Sequence, residues 1–435
     1  MFLVSFKNAV ILFIVLLSNI TGSYFIGVCD GELLIALGLT VPITVLTISI
    51  GTGIGTGAAI YVGYLQGKKQ CELIYHFVQS VYLGLGIVLI PVSWLVSSLM
   101  GDLVGIFIYD YSLSESVSEY LTIWVLGVPL LFISMVSSQI LRALGDLKSY
   151  GIVLLIAAGL TLVLEPLFIF GFGIVPALGI RGIGAAFLCS SLGSSIVALG
   201  LLTKRFTDIT VKTIDFSDCI QHLKKLFMVS KNLILLSAQA PLIKLFLVAV
   251  VARNEPIAAA VLGLCFRFEA VFLIPVNAIS GCLFTLFPRL LGEGWINKAN
   301  ALLLKAWVTA FMLQTFIALA IFLAMDLLVE MLGMTLEFEF YFRQYFYVVS
   351  WSYGFLSISI LLSHALNMYG MQTSSLATSL VRNFLCLLPL FLVVQSICGF
   401  ELAVYVLFSV NVLFAFIYLA IFYSCSGLLK LATCL

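Results

Sequence analysis

The sequence predicts an all-α integral membrane protein: 12 transmembrane helices in two six-helix lobes related by a parallel internal repeat. Three observations predict it. The 435 residues are 63% hydrophobic and only 9% charged, with mean hydropathy +1.21, so there are too few polar side chains to cover a soluble globule of this size. Apolar runs long enough to cross a bilayer, about 20 residues each, follow one another along the whole chain. A turn motif also recurs at a fixed distance, with Leu141, Gly145 and Ser149 matched by Leu366, Gly370 and Ser374; 370 − 145 and 374 − 149 are both 225.

Taken in order, the first span (9–28) follows Lys7; its apolar run offers no small-x-small cleavage site and further spans follow at once, so it reads as retained. The sequon Asn19-Ile20-Thr21 falls inside it, where no oligosaccharide could be added. The second span (33–65) carries Gly51, Gly53, Gly55 and Gly57, which let helices approach closely or flex, and stops at Lys68 and Lys69. The third (73–99) ends before Asp102, the fourth (119–141) before Arg142, and the fifth (150–173) and sixth (182–203) are separated by a Gly/Pro-rich turn with Arg181. Next comes the only long polar connector, carrying KRFTDITVKTIDFSD. The seventh (227–252) and eighth (256–288) spans meet at Arg253 to Pro256, and the ninth (299–325) runs from Lys298 to Asp326. Spans 340–368, 374–397 and 401–426 complete the set. The domain reading is therefore an N-terminal lobe 1–205, a connector 206–225 and a C-terminal lobe 226–435.

Basic residues mark the cytoplasmic side of a membrane protein. Of the 21 Lys and Arg, only Arg181, Arg253 and Arg343 fall in the loops opposite the N-terminus, beside acidic residues such as Asp102, Asp110, Glu115, Asp326 and Glu330. Both termini are expected in the cytoplasm, the short loops and bare termini suit a bacterial inner (plasma) membrane, and the chain is expected as a monomer. The matched stretches LRALGDLKSY and LNMYGMQTSS each join the fourth and fifth spans of their half, and glycine there reaches the positive φ that a sharp turn needs. Gly145 and Gly370 are thus read as hinges, with Arg142 and Lys148 at headgroup level. A weaker echo pairs Gly67 with Gly294, 227 residues apart.

Other classes find little support. Net charge is +1, so nothing points to nucleic acid, and the ten cysteines show no CxxC or Cys/His ligand spacing, so no metal site is expected. No HExxH, Gly-x-Ser-x-Gly or phosphate-binding Gly-x-x-x-x-Gly-Lys is present, and the three histidines, His76, His222 and His364, stand in unrelated places. An enzyme is not expected. The absence of a nucleotide-binding loop points to an ion gradient as the driving force, with no cofactor beyond a coupling proton or sodium ion.

The segments QILRALGDLKSYGI, LTLVLEPLFIFGFGIVPALGIRGIGAAF, GTGIGTGAAIYVGYLQGKK and LNMYGMQTSSLATSLVRN, in this order and spacing, resemble the multidrug and toxic compound extrusion (MATE) transporters. These belong to a larger group that includes flippases for lipid-linked sugars, and the resemblance spans nearly the whole chain. It implies antiport, in which a small organic compound leaves the cytoplasm as protons or sodium ions enter, with ion coupling by acidic side chains in helices one and five. Glu165, followed by Pro166, occupies the helix-five position, where the family more often has Asp. The helix-one aspartate is absent: its place falls near Gly22.

Charges within spans need partners or a function. Glu165 is the ion-coupling candidate, because burial disfavours its charged form and suits reversible proton binding. Lys244, Arg267, Glu269 and Arg382 are either interhelical ion pairs or the lining of a substrate cavity; Arg267 and Glu269, two apart, lie on different helix faces, and Glu269 is expected to meet Lys244 or Arg382. Gln139, Gln239 and Asn277 are further cavity candidates, and Lys305 is expected to snorkel. The aromatic stretch Phe338–Tyr347 fits an interfacial belt. The function expected is secondary active export of small organic, cationic or hydrophobic compounds by alternating access. The alternative is a flippase for a lipid-linked saccharide or similar amphipathic precursor. That alternative gains weight if Lys244, Arg267 and Arg382 converge, because a pyrophosphate headgroup needs cationic partners.

Overall fold

The computed structural model describes residues 11, 13–14, 25, 31–107, 111–172, 176–206, 216–253, 255–332 and 336–432. The expected first span, with the Gly22 position and the sequon, lies almost wholly outside them, as do residues 207–215 of the connector. The described residues are nearly all helical: α1 (Gly31–Gly67), α2 (Cys71–Ser98), α3 (Met100–Phe107), α4 (Tyr111–Ala143), α5 (Leu147–Phe170), α6 (Ile180–Thr203), α7 (Phe216–Ala252), α8 (Pro256–Phe272) and α9 (Ile274–Gly292). There follow α10 (Ile296–Leu323), α11 (Met325–Leu332), α12 (Leu336–Val349), α13 (Tyr353–Met368), α14 (Gln372–Leu380) and α15 (Leu388–Ala432).

Ten helical stretches among the described residues are long and apolar enough to cross a membrane. The last, Gln372–Ser424, has 53 residues. At about 1.5 Å per residue it would be far longer than one crossing. Gly399, with φ 76° and ψ −177°, breaks it into the expected eleventh and twelfth spans. Two spans are less regular than the sequence suggests. The eighth breaks at Leu273, where Pro275 opens the new helix without a donor to give back to the preceding turn, and the tenth passes through a tight 3-10 turn at Ser350–Ser352. The outward faces are apolar, as a surface against lipid requires: Ile87 and Trp94 are both 69% exposed and Leu385 is 70% exposed.

The repeat is built into the backbone at two turns of each half. Asp146 N–H bonds Leu141 O at 2.9 Å and Gly145 N–H bonds Arg142 O at 2.9 Å, while Met371 N–H bonds Leu366 O at 2.9 Å and Gly370 N–H bonds Asn367 O at 3.1 Å. This is a helix end closed by a six-to-one bond over a residue at positive φ, here 83° at Gly145 and 82° at Gly370. The other pair of turns has the same form, with Gln70 N–H on Leu65 O at 3.1 Å and Trp295 N–H on Leu290 O at 2.9 Å. Its positive-φ residues are Lys69 (59°) and Gly294 (80°). The partner of Gly294 is therefore Lys69, not Gly67; 294 − 69 and 290 − 65 are both 225, the offset of the first pair. Sequence matching went astray there because a lysine occupies the position that glycine marks elsewhere.

The chain divides into two compact units, Val10–Ser237 with Leu291–Glu293, and Ala238–Leu290 with Gly294–Leu435 and Met1–Ala9. In the N-terminal unit α4 packs along α1, α2, α5 and α6, around a core that includes Ala58, Phe77, Val81, Phe132, Val136 and Ile140. The glycine stripe of α1 serves two neighbours. A Cβ on Gly51 or Gly55 would meet Phe132, Met135 and Gln139 of α4, whereas one on Gly53 would come 2.5 Å from Ile234 Cα and one on Gly57 would strike Ser230 Oγ. The first part of α7 thus lies against α1 almost backbone to backbone, helped by Ser80 Oγ at 3.1 Å from His222 Nδ1. In the C-terminal unit α13 packs against α10 and α15, and α12 against α8 and α15.

Arg142 is buried, with its guanidinium 5.4 Å over the Tyr150 ring, and so does not sit out among headgroups as expected. The aromatic stretch is likewise only half a belt. Phe342, Tyr345 and Phe346 are fully buried, while Phe340 and Tyr347 are exposed, because helical spacing turns one face of α12 into the core.

Candidate functional site

In the N-terminal unit the fifth span carries Glu165 into the interior, where it is 7% exposed. Pro166 follows within the helix and has no N–H to give to the carbonyl of Leu162, which loosens the backbone next to the carboxylate. Tyr120 of α4, 6% exposed, stands within electrostatic range of Glu165. Tyr120 belongs to a compact apolar cluster with Leu121, Trp124, Ile169 and Ile183, and Trp124 stacks on Phe187 at 5.0 Å. A carboxylate in such surroundings is costly to ionise, which is the physical requirement for a group that takes up and releases a cation. On the same helix as Tyr120, an open cavity of about 510 Å³ is lined by Ser114, Glu115, Ser118, Glu119, Thr122 and Arg181, with Arg181 paired to Glu119.

The C-terminal unit holds a polar network inside its apolar frame. Lys244 Nζ lies 2.8 Å from Glu269 Oε1, and the Tyr345 hydroxyl donates to Glu269 Oε2 at 2.9 Å. Lys244 also sits 4.9 Å from the centre of the Phe266 ring. Arg382 Nη2 donates to Asn411 Oδ1 at 2.6 Å, and Asn411 Nδ2 donates to Ser352 Oγ at 2.9 Å. Asn383 Nδ2 donates to Gln239 Oε1 at 3.3 Å. Arg382 and Asn383 both belong to a π-helical stretch, Val381–Leu387, a widened turn of the kind enriched at functional sites.

Of the two partners open to Glu269, the structure selects Lys244. The three intramembrane cations do not form one cluster: Lys244 is held by Glu269, Arg382 by Asn411, and Arg267 is exposed with no ion pair among the described residues. Gln139 is half-buried with its Cγ against Gly55, Asn277 is exposed, and Lys305 is exposed. Gly145 and Gly370 close their turns as described. No group of three or more His, Cys, Asp and Glu that could hold a metal ion occurs among the described residues.

Sequence reasoning missed Tyr120, Tyr345, Asn383 and Asn411. Asn411 is the one amide in an otherwise apolar twelfth span and was visible as such; Tyr345 was hidden by the aromatic residues around it.

The MatE family model matches residues 9–167 and 233–393, well over half of the chain. An FAD transporter of Shewanella oneidensis is 28% identical over 386 residues, which cover 89% of this chain and 85% of that one. The multidrug export protein MepA of Staphylococcus aureus is 30% identical over 160 residues, 35% of this chain and 34% of its own. Among solved structures, the Vibrio cholerae MATE transporter VcmN in the bent form superposes with a TM-score of 0.87 at 23% identity, covering 97% of this chain and 95% of the other. A MOP superfamily transporter from Pyrococcus furiosus, described by a binding pocket of reversed polarity, superposes with a TM-score of 0.87 at 18% identity, covering 98% and 95%.

Proposed function

The chain belongs to the MatE family, membrane transporters rather than enzymes, and from that premise we propose that it exports small organic compounds, cationic or hydrophobic, by proton or sodium antiport. Glu165 is the ion-coupling residue. The observation that carries this reading is a single carboxylate, 7% exposed, in the middle of the fifth span, beside Tyr120 and next to a proline. Binding a cation there neutralises a charge that the apolar surroundings disfavour, so occupancy shifts the balance between conformations. The helix-one position near Gly22 supplies no second carboxylate, which favours a proton over a sodium ion, since a proton needs one oxygen and sodium needs several. The membrane is the plasma membrane, with Lys68, Lys69, Arg142 and Lys148 on the cytoplasmic side.

The test is flux of a fluorescent organic cation in proteoliposomes under an imposed proton gradient and then a sodium gradient. Wild type should respond to the proton gradient, and Glu165→Gln should lose the response while folding normally. A response to neither gradient, or a Glu165→Gln variant as active as wild type, removes Glu165 from the coupling role. The flippase reading finds less support, because the three intramembrane cations are held by different partners.

A further inference from the structure

Inside the C-terminal unit the residues around the π-helical stretch offer more hydrogen-bond donors and more positive charge than they have acceptors for. Arg382 has no carboxylate partner among the described residues; its Nη2 is held by Asn411, and its enclosed Nε–H meets no acceptor. Gln239, 4% exposed, accepts from Asn383 through Oε1, but its Nε2 donors are likewise unclaimed. Glu269 lies within electrostatic range of Arg382, but Lys244 and Tyr345 already occupy its two oxygens. The pair Lys244–Glu269 is neutral as a unit, so the charge of Arg382 is left over. An arginine so placed in a membrane span is expensive unless it serves an anion that arrives and leaves.

We propose that this region is a subsite for a phosphate or diphosphate group on the transported compound, with Arg382 as its charge partner and the Gln239 amide as a neutral donor. The guanidinium suits this group because its planar array of N–H donors matches phosphate oxygens. The Arg382–Asn411–Ser352 chain fixes one edge of the guanidinium and leaves the rest of its donors for the ligand. The π-helical turn, which can shift its bonding by one residue, provides the local freedom to present Arg382. The inference rests on the transporter reading and narrows its substrates to include phosphorylated organic anions.

The test is equilibrium binding to the purified full-length protein in detergent, using two matched pairs, adenosine with ADP and riboflavin with FMN. The phosphorylated member of a pair should bind about tenfold tighter or more. Arg382→Gln should erase that preference and leave binding of the unphosphorylated member unchanged, and Arg382→Lys should keep part of it. Asn411→Asp, which supplies the missing counter-charge beside an intact arginine, should erase it too and serves if Arg382→Gln does not fold. Equal affinities in wild type, no binding of either member, or a preference that survives both substitutions overturns the subsite. Flux of the organic cation in proteoliposomes from the same preparation separates the two readings. Cation flux without a phosphate preference sinks the subsite alone, whereas a phosphate preference without any flux sinks the exporter reading.

Discussion

Lys244 Nζ and Glu269 Oε1 stand 2.8 Å apart, joining the seventh span to the eighth inside the C-terminal unit, and Tyr345 holds the other oxygen of the same carboxylate. Breaking this pair from one side leaves a carboxylate among apolar side chains. Lys244→Met should therefore destabilise the protein by about 2 kcal/mol, below the full range for a buried pair, because the lysine side chain is 34% exposed. The double variant Lys244→Met/Glu269→Gln should recover most of the loss. Thermal unfolding of both variants in one detergent checks it, and equal losses in single and double variants would show that the lysine matters through packing instead.

Close approach of α7 to α1 depends on Gly53, since an added Cβ would lie 2.5 Å from Ile234 Cα, and backbone cannot swing aside. Gly53→Ala should cost about 1–3 kcal/mol through overpacking. Gly86→Ala in α2, where nothing lies within 4 Å of the new methyl, should instead stabilise by about 0.5–1 kcal/mol through helix propensity. Opposite signs from two substitutions of one chemistry, read by thermal shift, are the expected result.

At Gly145 and Gly370 there is open space for a methyl, so the cost of alanine is conformational alone. Each Gly→Ala substitution should destabilise by about 1–2 kcal/mol, the penalty of a Cβ at positive φ, and the two should be alike because the turns are alike. A cost at one turn only would show that the two halves no longer use the motif equally.

Asp146 caps α5. Burial pushes its pKa up, but the Ser149 N–H (3.0 Å), the Ser149 hydroxyl (2.9 Å) and Arg205 (2.8 Å) outweigh that and hold it below the ordinary carboxylate value. A carboxylate with a lowered folded-state pKa stabilises fully above its unfolded value, about 3.9, and loses that contribution as the pH falls through the lowered value. Asp146→Ala should cost about 1 kcal/mol at neutral pH through loss of the cap, and the difference from wild type should shrink under acid conditions below about pH 4. Stability measured across pH 3 to 7 tests the sign.

Much of this protein is written locally in its sequence. Apolarity and span length are properties of short windows, and basic residues gather in loops because charges avoid hydrocarbon, so the membrane class and the order of the spans could be read directly. The turn at Gly145 and its match at Gly370 were legible for the same reason: only glycine tolerates that φ without strain, so its spacing leaves a mark. The equivalent at Lys69 left no such mark, and only the backbone revealed it. Which charge meets which was beyond the sequence, since Glu269 had two basic candidates in other spans and pairing over 25 residues of chain depends on how helices pack. Packing likewise decided that Gly53 and Gly57 face α7 while Gly51 and Gly55 face α4, that Tyr345 turns inward from an aromatic run, and that Arg382 meets an amide rather than a carboxylate. A helix fixes which residues share a face, but the neighbour on that face is chosen by long-range contacts, and there the tertiary structure alone decides.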